Sequence, residues 1–532
     1  MGVIEEFRDK DLRMYDIANA GRSGTALCVL PQNVTVGIRY DVRRNDVLPP
    51  KNISLQKLFL IQKELFIGGI MKEKELIYRD EVDSLGVVKV QSENLWGAVT
   101  ERGRKMYAVT DETVDMEIVR AVAMIKKAAA IANEKLGVLS TEKRDRISLA
   151  VDQILTGKFD DNFPLSVYQT GSGTATNMNV NEVIKNINNL GLIGDDSVSL
   201  HPNDDVNKSQ STNCVFPTAI NVAVILNLKK GLIPALENLV TTLDRKIEEF
   251  DGVIKIGRTH LEDATPILIS DEFRAYRDTF MRDIEKIKEQ IEYLSHVPLG
   301  GTAVGTGLNT PPGYDKLAVE ALGEIAGIDL IPMEDKFMGL SMKNDIATAY
   351  GAIASLSMNL FKFLNDIRLM QSGPRAGFSE IIIPANEPGS SIMPGKVNPT
   401  QIEMLTQIAL RVYGANATIL FASGQGNFEL NVYMPLIANQ FIKTARELAN
   451  GIESFNENCL KGIKLNEEKI EKYLEESLML VTALNPHIGY INSAKIAKNA
   501  YEKGITLKQS ALELELLTEE KFDIIVDPTK MV

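Results

Sequence analysis

At 532 residues and 44% hydrophobic content, the chain is long enough for about two to four domains around a large buried core, which excludes a disordered or low-complexity protein. A formal net charge of −13, with pI near 5.1, argues against nucleic acid or an anionic membrane surface as the main partner, and a bound dianion would need a locally basic pocket. Three scattered cysteines (Cys28, Cys214, Cys459), no run of about 18 apolar residues and a start without the order of a secretory signal point to a cytoplasmic enzyme.

Residues 1–75 differ from the rest: they carry 12 Lys/Arg against 10 Asp/Glu, so the remainder holds a net −15. Residues 34–42 largely alternate, the period of a half-buried strand, and 43–50 read as a turn. Residues 53–67 suit an amphipathic helix stopped by Gly68 and Gly69, so the first 75 residues are predicted to be a small α+β extension. From Asp115 onward helical patterns dominate. Apolar residues recur at three and four spacings from Glu117, and 232–250, 268–295, 341–372 and 400–424 sustain helices longer than the usual ~11–12 residues. The fold class expected is mainly α, an elongated helical bundle.

Four polar segments interrupt that helical text. Gln169 to Glu182 (QTGSGTATNMNVNE) is crowded with hydroxyls and amides, lacks any cation, and misses the third glycine of a dinucleotide fingerprint. Such a cluster either holds carboxylate oxygens near a helix N-terminus or merely caps a helix. His201 to Pro217 supplies further polar groups, and His201 beside Asp204 and Asp205 is weak as a metal set. Lys255 to Pro266 places Arg258, Thr259 and His260 together. Residues 387–403 (EPGSSIMPGKVNPTQIE) combine Gly389 and Gly395 with Ser390, Ser391, Lys396 and Asn398 and have no hydrophobic periodicity, the composition of a reactive loop. The elbow of a serine hydrolase is absent around Ser390, which excludes an acyl-transfer triad with His260.

Together these segments, with Gly300 to Gly307 and Ser477 to Pro486, resemble the class II fumarate hydratases of the aspartase/fumarase superfamily over about residues 76–532. The wording departs from that of aspartases in the first segment, before Glu403 and at Ser477 to Leu480. The resemblance implies reversible hydration of fumarate to L-malate through an aci-carboxylate, with no metal or organic cofactor. Aspartate ammonia-lyase, or a catalytically silent scaffold on the same fold, is the alternative.

Carried over residue by residue, the resemblance makes Ser390 the base, His260 the group on the hydroxyl side with Glu403 as its carboxylate partner, and Lys396 the cation for the intermediate. Ser172, Gly173, Thr174, Ser211, Thr212, Asn213, Thr259, Ser391, Val397 and Asn398, with Lys396, would bind substrate. His201, Pro202, Asn203 and Asp204 would form a second anion site. It further implies a homotetramer with active sites shared between chains, and a division into 1–75 (extension), 76–209 (N-terminal lyase domain), 210–467 (long-helix domain) and 468–532 (small C-terminal domain). Two departures stand out: Cys214 occupies a position where relatives commonly carry Asp, and the extension matches nothing in the family.

Overall fold

The computed structural model describes residues 77–194 and 197–532, together with four strands nearer the N-terminus. The chain divides into two compact units, one of residues 1–78 with 91–93 and one of 79–90 with 94–532.

In the first unit, β1 (Arg13–Asp16), β2 (Ser23–Val29), β3 (Thr35–Asp41) and β4 (Asp46–Leu48) form an antiparallel meander in sequence order. Its register pairs Ser23 with Asp41 and Arg39 with Leu48. β3 falls within the alternating stretch at 34–42. The helix expected at 53–67 and its Gly68–Gly69 stop lie outside the described residues.

The second unit is helical. A ribbon of β5 (Tyr78–Asp83) and β6 (Gly86–Gln91) is followed by α1 (Ala98–Met106), α2 (Met116–Lys135), α3 (Thr141–Leu155) and α4 (Thr174–Asn189). α5 (Thr212–Asn227) and α6 (Ile233–Glu249) precede a hairpin of β7 (Ile254–Thr259) and β8 (Glu262–Leu268). Then come α7 (Ile269–Leu294), α8 (Tyr314–Ala326), α9 (Lys336–Ser341), α10 (Asn344–Met370), α11 (Thr400–Ser423) and α12 (Met434–Asn458). Shorter helices between Glu467 and Ile525 close over a second apolar cluster that includes Leu484, Ile496 and Ala511.

Local signals set these boundaries. Asp115 and Ser140 accept the N–H groups of Glu117 and Lys143 and so start α2 and α3, and Ser211 does the same for α5 through Asn213 N–H. α2 buries Ile118, Val122, Ile125, Ala129 and Ala132 along one stripe. An 18-residue stretch within residues 212–249 is long and apolar enough to cross a membrane, yet 72% of that stretch is buried inside the protein, so core packing accounts for its hydrophobicity. The aromatic rings of Phe250, Phe273, Tyr276, Phe363 and Phe455 form a chain of edge and tilted contacts at 4.9–6.1 Å that ties α7, α10 and α12 together.

Candidate active site

Two helix N-termini form the first part of the site. Gly173 precedes α4 at φ 80°, and a Cβ there would lie 2.3 Å from the Phe216 ring of α5, so glycine lets the two helix starts approach. Ser172 and Thr174 share a 3.0 Å hydrogen bond between their hydroxyls. At the start of α5, Thr212 accepts the Asn177 amide at 3.0 Å, and Asn213 donates to the Ala303 carbonyl at 2.8 Å. Both helix starts carry the positive end of a helix dipole, although Gln169 Oε1 already accepts the Thr176 N–H in α4 and Ser211 Oγ the Asn213 N–H in α5. Glu182, at the end of the same polar segment, serves the framework instead, for its carboxylate accepts the N–H groups of Gly97, Val99 and Thr100 and caps α1.

The β7–β8 hairpin carries Thr259 and His260 at its tip. Thr259 pairs with Glu262, and the two residues between them, His260 and Leu261, have φ 57° and 62°. That is the geometry of a type I′ turn made without glycine, a backbone cost on the order of 1–3 kcal/mol per residue. The base of the hairpin offsets it. Glu380, with no exposed surface, ion-pairs with Lys255 at 3.0 Å and Arg258 at 2.8 Å, and the Arg258 guanidinium lies 4.5 Å from the centre of the Phe378 ring. His260 is exposed and makes no hydrogen bond among the described residues.

The third part is the loop before α11. Ser390 Oγ accepts the N–H groups of Met393 at 3.1 Å and Ile392 at 3.4 Å, and Asn398 donates its side-chain amide to the Gly389 carbonyl. A Cβ on Gly389 would lie 2.1 Å from the Lys396 carbonyl oxygen, so the two ends of the loop meet only because residue 389 is glycine. Ser391, Lys396 and Val397 are exposed. Lys396, Val397, Asn398, Pro399 and Glu403 line an open cavity of about 520 Å³ together with Arg368 and Gln371 of the 365–373 segment.

Within one chain the three parts stay separate in bonding terms. No hydrogen bond or ion pair joins His260 to Glu403, or either helix N-terminus to the 389–398 loop, among the described residues. The residues expected for a second anion site form a surface turn. There His201 Nδ1 lies 3.1 Å from the Asp204 carboxylate, Pro202 opens the Pro202–Val206 turn, and Asn203 is exposed beside them.

Known proteins are similar to this chain in sequence and in fold. The Lyase family matches residues 86–414 and the Fumarase C C-terminus family residues 480–532. The class II fumarate hydratase of Bacillus anthracis is 50% identical over 457 residues, spanning 86% of this chain and 99% of its own. That of Bacillus subtilis (strain 168) is 48% identical over 456 residues, with the same coverage. The crystal structure of class II fumarase from Schistosoma mansoni superimposes with a TM-score of 0.83 at 41% identity, covering 86% of this chain and 99% of that one. The chain belongs to the class II fumarate hydratase family.

For a family member, three features went unmarked in the sequence. Arg368 adds a cation to the cavity of Lys396, from within a helix whose periodicity gave no cue. Glu380, which anchors the His260 hairpin, lies in a stretch without regular pattern, and only its fold neighbours reveal it. Lys126 lies beneath α5, fully buried. Its place on the apolar stripe of α2, four residues after Val122 and four before Ala130, was a readable signal.

Proposed function

We propose that this protein catalyses the reversible hydration of fumarate to L-malate in the cytoplasm, at sites shared between the chains of a homotetramer. In the dehydration direction Ser390, as alkoxide, removes the proton alpha to one carboxylate. The electron pair left on that carbon forms the doubly charged aci-carboxylate, held by Lys396 and Asn398. Collapse of the aci-carboxylate re-forms the carboxylate, makes the carbon–carbon double bond and expels hydroxide, which takes a proton from His260, oriented by Glu403, and leaves as water. Ser172, Thr174, Ser211, Thr212, Asn213 and Thr259 hold the carboxylates. The N–H groups of Ile392 and Met393, which Ser390 Oγ accepts, stabilise the alkoxide.

The observation that carries the function is the near-50% identity to class II fumarate hydratases along 86% of the chain, joined to intact Ser390, His260, Lys396, Asn398 and Glu403. The separation of the three parts within one chain supports the shared site. So does α11, which buries Ile402, Leu405, Val412 and Ile419 on one face and leaves Leu410, Tyr413, Ala417, Leu420 and Phe421 exposed at three and four spacings on the other, an apolar stripe suited to a second chain. Free, buried Cys214 and Cys459 suit a reducing compartment. The test is fumarate absorbance. It should appear from L-malate without ammonia; appearance only from L-aspartate, with ammonia released, overturns the reading.

A further inference from the structure

Beneath the start of α5 runs a buried chain of hydrogen bonds that no step of the hydration uses. It begins at Lys126, whose side chain is entirely enclosed in α2. Its ammonium donates to Asn207 Oδ1 at 2.8 Å and Gln210 Oε1 at 3.0 Å, and no carboxylate pairs with it among the described residues. Asn207 Oδ1 also accepts the side-chain amides of Asn177 at 3.2 Å and Asn181 at 3.3 Å. The Asn177 amide then donates to Thr212 Oγ1 at 3.0 Å.

The direction of every bond in this chain follows from its first member. A lysine has at least two hydrogens to give in either protonation state, enough for the two acceptors Asn207 and Gln210, so the Asn207 atom that faces it is oxygen. The other end of that side chain agrees, since Asn207 Nδ2 donates to the Gln210 carbonyl at 3.2 Å. With Asn207 Oδ1 fixed, Asn177 must turn its NH₂ toward it, because the reverse orientation sets two carbonyl oxygens against each other in a buried site. That same NH₂ occupies a lone pair of the Thr212 hydroxyl, and the one hydrogen of that hydroxyl remains free to be donated. A carboxylate can only accept.

We propose that Lys126 is a positioning residue for the hydration: through Asn207 and Asn177 it fixes the Thr212 hydroxyl as a donor aimed at a substrate carboxylate. This rests on the proposed reading that Thr212 binds substrate. Thr212 is 8% exposed and sits at the first turn of α5, where the helix N-terminus also favours an anion. Cys214, fully buried two residues on, donates its thiol to the Ser211 carbonyl at 3.3 Å and gives the lysine no carboxylate, so the amide chain takes up the ammonium's hydrogens instead.

Three variants of the full-length protein test it, each assayed with L-malate and checked for folding by thermal melting and for assembly by mass. Lys126→Met keeps the length and removes the donors; KM should rise roughly tenfold or more with a smaller fall in kcat. Asn177→Asp and Asn207→Asp are the same isosteric change one step apart. An acceptor at 207 keeps the direction of the chain, whereas an acceptor at 177 captures the Thr212 hydrogen and turns a lone pair toward substrate. KM should therefore be higher in Asn177→Asp than in Asn207→Asp by roughly tenfold or more. This pair decides the question even if Lys126→Met fails to fold. Equal KM values in the two aspartate variants, or an unchanged KM in folded Lys126→Met, overturn the proposal. A wild-type protein that makes no fumarate from L-malate defeats the functional reading first, and this inference with it.

Discussion

The two ends of the site are built in opposite ways. At the starts of α4 and α5, Ser172, Gly173 and Thr212 are buried, and the side chains of Thr212 and Asn213 are tied to groups that the same chain supplies. In the 389–398 loop, Ser391, Lys396 and Val397 are exposed, and the bonds of Ser390 and Asn398 stay inside the loop itself. Groups that must only recognise a carboxylate can be set in advance by packing. The groups to which our account gives proton exchange are held by backbone alone and left open on the side where, in that account, substrate and another chain complete them.

That contrast predicts different kinds of damage. Ser390→Ala removes the proposed base and leaves the buried helix starts untouched, so kcat should fall roughly 10²–10⁴-fold or more with KM little changed. Comparable losses in both constants would erase the distinction between the two ends. Gly389→Ala strikes the loop through its backbone: the added Cβ meets the Lys396 carbonyl oxygen at 2.1 Å, so the loop must open. Activity should drop by at least about tenfold while the melting temperature barely moves, because the loop is exposed and contributes little to the core. A large fall in melting temperature would mean that the loop is a structural part.

Glu380→Gln sharpens the comparison at the hairpin. It leaves Arg258 without its buried carboxylate and Lys255 with Glu272 alone, and should loosen the tip that carries Thr259 and His260. We expect kcat/KM to fall roughly tenfold together with a measurable loss of stability, since breaking a buried pair costs about 3–5 kcal/mol. Unchanged kcat/KM in a destabilised protein would separate hairpin anchoring from catalysis.

The smallest effect concerns Lys126 and pH. Burial lowers its pKa to about 7, with Cys214 acting in the opposite direction. The unfolded chain therefore binds the proton more tightly between about pH 7 and the ordinary lysine range, and stability should rise with pH across that window by at most roughly 1.4 kcal/mol per unit. Lys343, also lowered to about 7 by burial, adds a similar slope, so the informative quantity is the difference between wild type and Lys126→Met in denaturant unfolding at pH 7 and 9. The variant should show the shallower rise. Parallel curves would show that Lys126 keeps its proton throughout.

Much of this was legible in the residues. The helices at Ile233–Glu249, Ile269–Leu294, Asn344–Met370 and Thr400–Ser423 fall within a few residues of their apolar patterns, because each buries one stripe over many turns. The candidate site segments were legible for the opposite reason, as polar text without periodicity. Contacts between distant segments were not. Cys214 could be seen as a departure, but nothing in the sequence joined it to Lys126, 88 positions earlier, until α2 and α5 were packed together. The left-handed pair His260–Leu261 was hidden as well, since neither residue advertises positive φ as glycine does.

The most direct test is a mixing experiment. Ser390→Ala and His260→Asn, each expected to be nearly inactive alone, are co-expressed or refolded together, and mixed assemblies are verified by mass before fumarate formation from L-malate is measured. If one site draws Ser390 from one chain and His260 from another, random assembly restores both groups to roughly a quarter of the sites, and activity should return toward that fraction of wild type. Mixed assemblies no more active than the two variants assayed separately would contradict a site shared between chains.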